Sequence, residues 1–583
     1  MARRDRLTIV AQVADAPPAE AEALLRKHLR KQPRDLVALT ALADVLAPQS
    51  RLGEIGPALA TAAMTPRATV ALIEHACGAA YALNEPDAAL RIATKGTQLH
   101  AECAQIWHQR GKAEIETADA PSAANSLERA HELAPNDTAI LAMLADADLS
   151  RGAFPLPDKY ARLLLDIEPM VATHHVRLGT SQRFNNHLDE AEACFRRAIE
   201  LDSNLPSAYA GLAETLESKG DSESAAAELS PIIKTGSASF AVVSAWARVQ
   251  QRLGDLPAAI AAMERYLASK RGGLPQQCNV LMRLGRAYEQ AGRYDDAFRC
   301  WTQGNRVHQG RWNPDLREQF VDRMISTLSR ERLAELPRAS AAPFTPILVV
   351  GMYRSGTTLT EQILSAHPDV VPAGESPAMP LAVKDLAQDA GPLEKFPDTL
   401  GDVTKEQLER ARDTYVGEMR QHTDTTNYLV DKLPMNYLNV GVASLTLPNA
   451  RVLHIVRDPL DTAISCYSQS FTSRMAFTAD LKHLGRTITQ ERRVMDHWYE
   501  ACDLPMLKIQ YETLVTEPEV TLQAVLEFLG LEWNEAVLNS HKSKRVAATP
   551  SMDQVRKPLN TSAIGRAAHF EAHIGPLRDA LNM

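Results

Sequence analysis

Cysteine is scarce and scattered. The 583-residue chain has seven (Cys77, Cys103, Cys194, Cys278, Cys300, Cys466 and Cys502), and no two form a CxxC pair. That pattern excludes a disulfide framework and a zinc site of the usual spacing. It fits buried thiols in a reducing compartment, so a cytoplasmic protein is expected. Aromatic residues are only 5%, and 28 Gly with 34 Pro are too few for a fibrous or low-complexity chain. No run of 18 apolar residues occurs, which excludes a membrane-spanning helix. The apolar stretch near the start, Leu7 to Val13, is short and interrupted by Gln12, so it reads as a first structural segment and not as a signal peptide. Excess positive charge is also missing. Lys and Arg total 63 against 72 Asp and Glu, a net charge of −9. Long-range attraction to nucleic acid or to an anionic membrane is therefore disfavoured. Any anion site must be a local cluster of basic side chains and backbone amides.

What is present is 45% apolar and 23% charged residues, an ordinary globular balance. A single core stops growing at roughly 250–300 residues, so at least two structural units are expected. The first half is rich in Ala, Leu and Glu, a bias toward helices packed through small residues. It also repeats itself. Ala191, Ala225 and Ala259 are 34 residues apart, and so are Asn186, Gly220 and Gly254. This is the period of a helix–turn–helix unit, with Gly or Asn where the turn needs a left-handed backbone and Ala where two helices approach closely. Leu178-Gly179 and Leu212-Ala213 supply a large/small pair on the first helix of each unit. Trp107, Gly111, Ala123, Ala130 and Pro135 mark an earlier copy, and Leu284-Gly285, Tyr288, Gly292, Ala297 and Trp301 the last. This stretch resembles the tetratricopeptide repeat family, with about eight helix pairs between Pro33 and Pro314. Such an array stacks into a surface that binds peptide, and nothing in it points to catalysis. The adjacent His174 and His175 diverge by roughly 100° on a helix and lack a third ligand, so they read as surface histidines.

After Arg338–Pro343 the period changes. Thr345 to Gly351 (TPILVVG) is a continuous apolar run, the mark of a strand buried on both faces. Gly351-Met-Tyr-Arg354-Ser355-Gly356-Thr357-Thr358 follows, then a helical pattern from Leu359 to Ala366. Strand, Gly-bounded loop and helix together make a phosphate cradle, with backbone N–H groups and a helix N-terminus aimed at one anion. The two glycines are five apart, as in nucleotide triphosphatase loops, but Thr357 stands where those have Lys. Without that Lys and a Mg²⁺, a β,γ-phosphate pair is poorly neutralised, which argues against a kinase. An anion of lower charge, held with the help of Arg354, suits the loop. A 5′-phosphosulfate is one, and it needs no metal.

The segment PILVVGMYRSGTTLTEQILSAHPDV resembles the 5′-phosphosulfate loop of sulfotransferases that use 3′-phosphoadenosine 5′-phosphosulfate. It is similar in particular to the tyrosylprotein branch and to bacterial tetratricopeptide-repeat sulfotransferases, over roughly residues 344–580. The resemblance assigns Arg354, Ser355, Gly356, Thr357 and Thr358 to the donor. A second segment, Arg451 to Ser465, reads as a strand ending at Arg457, where open α/β sheets bind ligands. There Asp458 is placed as helix N-cap and Pro459 as first helical residue. In the family the Arg and Ser matching Arg457 and Ser465 hold the 3′-phosphate; the local alternative is an Arg457–Asp461 ion pair at i, i+4. In Gly374-Glu375 the matching Glu is the base that accepts the acceptor's phenolic proton. A hydroxyl of pKa near 10 needs such help at neutral pH. His422, His454 and His497 are the alternatives by residue type. Tyr428 to Asn436 reads as a strand ending in Asp431-Lys432. By resemblance Lys432 stabilises the sulfuryl group and the leaving phosphate; adjacent strand residues face opposite ways, which disfavours pairing with Asp431. The last segment, Thr549 to Asn560, matches one that wraps the nucleotide. It implies roles for Ser551 near the transferring group and for Lys557 and Arg566 on the nucleotide, with Tyr511 lining the pocket. Ala567-Ala568 stand where members often carry Trp.

The expected protein is multidomain: an all-α tetratricopeptide-repeat solenoid (1–314), a linker (315–343) and an α/β P-loop sulfotransferase domain with a mostly parallel central sheet (344–583). The resemblance implies a sulfuryl transfer with no metal to an acceptor hydroxyl, a peptidyl tyrosine presented by the repeats being the leading reading. The alternatives are a small-molecule or lipid hydroxyl, with repeats that only oligomerise the chain, and an inactive adaptor. A homodimer is compatible with the repeats.

Overall fold

The computed structural model describes residues 9, 11–117, 120–151, 157–307, 312–391, 395–423, 427–471, 473–542 and 559–583. Eight helix pairs run from Leu36 to Val307 among these residues, the number expected from the repeat period. Ala191, Ala225 and Ala259 are fully buried. Asn186, Gly220 and Gly254 have φ of 64°, 88° and 79°, so the turn positions inferred from the period do adopt the left-handed backbone.

The chain forms two compact units, one ending at Asp255 and one beginning at Leu256. In the first, each helix pair closes on its neighbour through small residues. Gly211 meets the Phe195 ring so closely that a Cβ there would lie 2.3 Å from it. The division falls inside the stretch assigned to the repeats, so the last repeat helices belong to the same compact unit as the sheet. Among them are α1 (Leu274–Gln290) and α2 (Tyr294–Val307). The stretch read as a linker is corrected: it carries helices Pro314–Thr327 and Arg330–Glu335. Asn313 caps the first of these, Pro314 opens it, and Val321, Met324 and Leu328 bury one stripe, a 3–4 spacing that a linker would not have.

The second unit is built on a five-stranded sheet of β1 (Thr345–Gly351), β2 (Val370–Pro372), β3 (Tyr428–Lys432), β4 (Arg451–Val456) and β5 (Met506–Gln510). The order is β2-β3-β1-β4-β5 and every pairing is parallel. Parallel strands need crossover helices on both faces, which is why β1, at the centre, is apolar and buried along nearly its whole length. Val349 pairs with Lys432 and Gly351 with Ile455, so the carboxyl ends of β3, β1 and β4 come out along one edge. Helix α3 (Thr357–Leu364) follows β1, and α4 (Pro459–Tyr467) follows β4. Asp458 caps α4 by accepting from the Asp461 amide at 2.9 Å, with Pro459 as its first residue, as its sequence requires. Helix α5 (Leu481–Ala501) buries Trp498 completely, and its indole donates to the Tyr437 carbonyl at 2.8 Å. Among the described residues no helix is long and apolar enough to cross a membrane.

Candidate active site

All five strands deliver a candidate residue to the same sheet edge. The loop after β1 holds Arg354 at φ 67° between Gly351 at 144° and Gly356 at 112°. These glycines are obligatory. A Cβ on Gly351 would come within 2.4 Å of the Ile455 carbonyl, and one on Gly356 within 2.6 Å of the Tyr511 ring. The loop therefore curls tightly against β4 and β5, with Thr357 and Thr358 opening α3. Ser355 is buried, yet its Oγ has no hydrogen-bond partner among the described residues, and the same holds for Arg457 Nε. Buried donors left in that condition cost about 1–3 kcal/mol each unless something accepts from them. They fit a phosphate group seated in the loop.

Arg354 Nε donates to Ser465 Oγ at 3.1 Å. Arg457 donates to the Arg354 carbonyl at 3.0 Å and to the Ala563 carbonyl at 2.5 Å, and it lies 4.8 Å over the Tyr511 ring. Burial, with Arg457 and Arg566 close by, presses the Arg354 guanidinium down to about 10. It stays charged at neutral pH but is poorly solvated, and an anion would relieve that. The local i, i+4 expectation for Arg457 is met only loosely, since Asp461 stands 4.0 Å away. Its carboxylate instead accepts from the Gly565 and Ala567 amides, both at 2.7 Å, tying the last segment to α4. Cys466, under the loop, has its thiol pushed up to about 12 by burial, so it is structural.

Lys432, at the end of β3, is fully buried. Its Nζ lies 2.7 Å from Glu375 Oε1 and 3.8 Å from Glu361 Oε2. Gly374, at φ 69°, turns the chain after β2, and its carbonyl accepts from the Lys432 amide at 3.1 Å. This brings Glu375 back over Lys432. The Glu375 side chain is 45% exposed, so one carboxylate is both reachable and held by a buried cation. Asp431 points the other way, toward Asn436, as strand alternation requires. The histidines have other work. His454 lies mid-strand between Tyr499 (3.0 Å) and Glu491 (2.7 Å), and His497 meets the Leu328 carbonyl at 2.9 Å.

The structure thus brings together Arg354, Ser355, Gly356, Thr357, Arg457, Ser465 and Tyr511, and separately pairs Glu375 with Lys432. Arg566 is held by Glu289 of α1, at 2.6 Å and 2.9 Å, and donates to Ser468 Oγ at 3.0 Å. Ser551 and Lys557 lie outside the described residues. Sequence reasoning missed Glu361 and Glu289, and gave Asp461 only as an ion-pair alternative for Arg457. Glu361 lies between Thr360 and Gln362 in α3, so its burial beside Lys432 had no local signal. Among the described residues no group of three or more His, Cys, Asp or Glu is placed to hold a metal.

Asp431 gives the site a pH signature. It is wholly buried, and burial, reinforced by Glu361 and opposed by Tyr415 and Lys432, raises its carboxyl from 3.8 to about 7. Between those values the folded chain keeps a proton that the unfolded chain has released. Its contribution to stability is therefore complete at low pH and is lost as pH rises toward about 7. Asp431→Asn is expected to flatten that loss. The wild-type melting temperature should fall more between pH 5 and 8 than the variant's, by about 2–4 °C for each kcal/mol involved. Parallel melting curves across that range would show that Asp431 does not titrate there.

Residues 346–535 match the model of the sulfotransferase family, and residues 176–235 and 244–299 match that of the tetratricopeptide repeat. The chain therefore joins tetratricopeptide repeats to a sulfotransferase-family domain. An uncharacterized protein of Aquifex aeolicus is 33% identical over 307 residues, 51% of this chain and 40% of that protein. Protein-tyrosine sulfotransferase 1 of Danio rerio is 32% identical over 234 residues, 38% of this chain and 64% of the relative. Its counterpart in Homo sapiens is 30% identical, over 38% of this chain and 62% of the relative. In each case the match spans less than two thirds of the relative's own length.

Proposed function

We propose that the chain transfers a sulfuryl group from 3′-phosphoadenosine 5′-phosphosulfate to an acceptor hydroxyl, and that the acceptor is a peptidyl tyrosine. The observation that carries the reading is the Lys432–Glu375 contact of 2.7 Å at the same sheet edge as the Gly351–Thr358 loop. It pairs a buried cation with a solvent-reachable carboxylate beside an anion cradle. The donor, when bound, supplies the sulfuryl group on its 5′-phosphate. The loop amides, Ser355 Oγ and the Thr357 and Thr358 hydroxyls would hold that phosphate, with Arg457 and Ser465 on the 3′-phosphate and Tyr511 beside the nucleotide. Arg354 and Lys432 neutralise the charge that grows on the leaving oxygen, in a setting where fixed donors act more strongly than water would. Glu375 accepts the hydroxyl proton as the new O–S bond forms and the S–O bond to the phosphate breaks. Ser551 and Lys557 remain assigned by resemblance to the transferring group and the nucleotide. The tyrosine acceptor is supported by the relatives that are protein-tyrosine sulfotransferases, and by repeats suited to presenting an extended chain.

The test is labelling with sulfur-35 donor. Tyrosine-containing peptides are expected to take up label, and the same peptides with Phe in place of Tyr are not. Label appearing only on small alcohols or lipids would replace the tyrosine reading by the small-acceptor one, and no transfer to any hydroxyl would point to an adaptor.

A further inference from the structure

Three guanidinium groups from three distant parts of the second unit meet on one turn of α4. Arg354, from the loop after β1, donates to Ser465 Oγ at 3.1 Å. Arg566, from the last segment, donates to Ser468 Oγ at 3.0 Å while holding Glu289. Arg286, from repeat helix α1, reaches the same place: its Nε donates to the Ser468 carbonyl at 3.4 Å and its Nη2 to Gln469 Oε1. Arg457 closes the group through the Arg354 carbonyl. The neighbouring helix α2 fixes the turn as well, since Asn305 donates to the Tyr467 carbonyl at 2.9 Å.

Arg286 differs from Arg566, which a carboxylate holds, in its partners. Its hydrogen bonds go to a carbonyl and an amide oxygen, both neutral. Burial, together with Arg354, Arg283 and Arg566, lowers its affinity for its own proton to about 10, and Glu289 opposes this only in part. A half-buried guanidinium among guanidiniums is a poor arrangement for a purely structural side chain and a good one for a polyanion. All its contacts are on the Ser465–Ser468 side of the site, and none is at the Lys432–Glu375 pair. That places it at the end of the donor assigned to Ser465 and Arg457, and not at the acceptor.

We propose that Arg286, contributed by a tetratricopeptide-repeat helix, binds the 3′-phosphate of the donor together with Arg457 and Ser465, so that the last repeat completes the donor site. The proposal rests on the donor assignment above. It gives that repeat a role in the chemistry that is distinct from recruiting an acceptor.

The experiment measures the affinities of adenosine 3′,5′-bisphosphate and adenosine 5′-phosphate for the full chain and for Arg286→Gln, Arg286→Lys and Arg457→Ala. Arg286→Gln is expected to weaken the bisphosphate by about tenfold to a hundredfold, the range of a lost charged hydrogen bond, and to leave the 5′-phosphate within about twofold. Arg286→Lys should recover part of the loss. A merely structural role would weaken both ligands alike, so an unchanged ratio in a folded Arg286→Gln protein overturns the proposal. If that variant does not fold, amide exchange in the wild type decides. The bisphosphate, and not the 5′-phosphate, should slow exchange over residues 283–290, and protection confined to residues 351–358 overturns the proposal. A wild type with no preference for the bisphosphate overturns the donor assignment and this inference together. A preference abolished by Arg457→Ala but kept by Arg286→Gln overturns this inference alone.

Discussion

Glu375→Gln is expected to lower kcat by about 10²–10⁴-fold while leaving the affinity for adenosine 3′,5′-bisphosphate unchanged. Gln keeps an oxygen where Glu375 Oε1 now meets Lys432 Nζ at 2.7 Å, so the local geometry can persist. What it loses is the ability to take a proton from the attacking hydroxyl. The half-exposed carboxylate is held by Lys432 at the end of β3 and not by the donors assigned to the phosphates, which is why binding and turnover should separate. Single-turnover transfer measured beside calorimetric binding checks this. A kcat within threefold of wild type would remove Glu375 as the base and return attention to other groups near Lys432.

Lys432→Met should cost about 10²–10³-fold in kcat, the scale seen when one fixed donor to a developing negative charge is removed. It should also lower the melting temperature, unlike Glu375→Gln. Lys432 is fully buried and faces both Glu361 and Glu375, so its loss takes the cation from a pocket that holds two carboxylates. The paired measurement is activity together with thermal unfolding. Loss of activity with no loss of stability would mean that the Glu361 contact contributes little. Full activity would mean that the charge on the leaving oxygen is met by Arg354 and the loop alone.

These residues were legible in the sequence because their signals are local. Gly351, Gly356 and Gly374 have positive φ, and each lies at or within a few residues of the end of an apolar strand. Arg457 and Lys432 were placed by the rule that residues at the carboxyl ends of parallel strands share one edge, and Tyr511 by the family resemblance alone. The repeat register was legible for a similar reason, since a turn recurring every 34 residues constrains Asn186, Gly220 and Gly254 alike. What stayed hidden depends on distant pairs. Arg566 finds its carboxylate 277 residues earlier, in Glu289, and Arg286 finds its carbonyl 182 residues later, in Ser468. No local period records such contacts. Asp461 shows the limit of a local rule. The i, i+4 rule pairs it with Arg457, but the amides of Gly565 and Ala567, brought from the last segment, take its oxygens. The helix Pro314–Thr327 was missed as a linker because its buried stripe of Val321 and Met324 is narrow and surrounded by charge.

The Gly351–Thr358 loop, Arg457 and Ser465 are proposed to form one nucleotide site. This is tested most directly by titrating adenosine 3′,5′-bisphosphate calorimetrically into the wild type and into the Arg457→Ala, Ser465→Ala double variant. Micromolar binding to the wild type, about −8 kcal/mol, and its loss in the double variant are expected. Weak binding that the two substitutions leave unchanged would contradict that assignment.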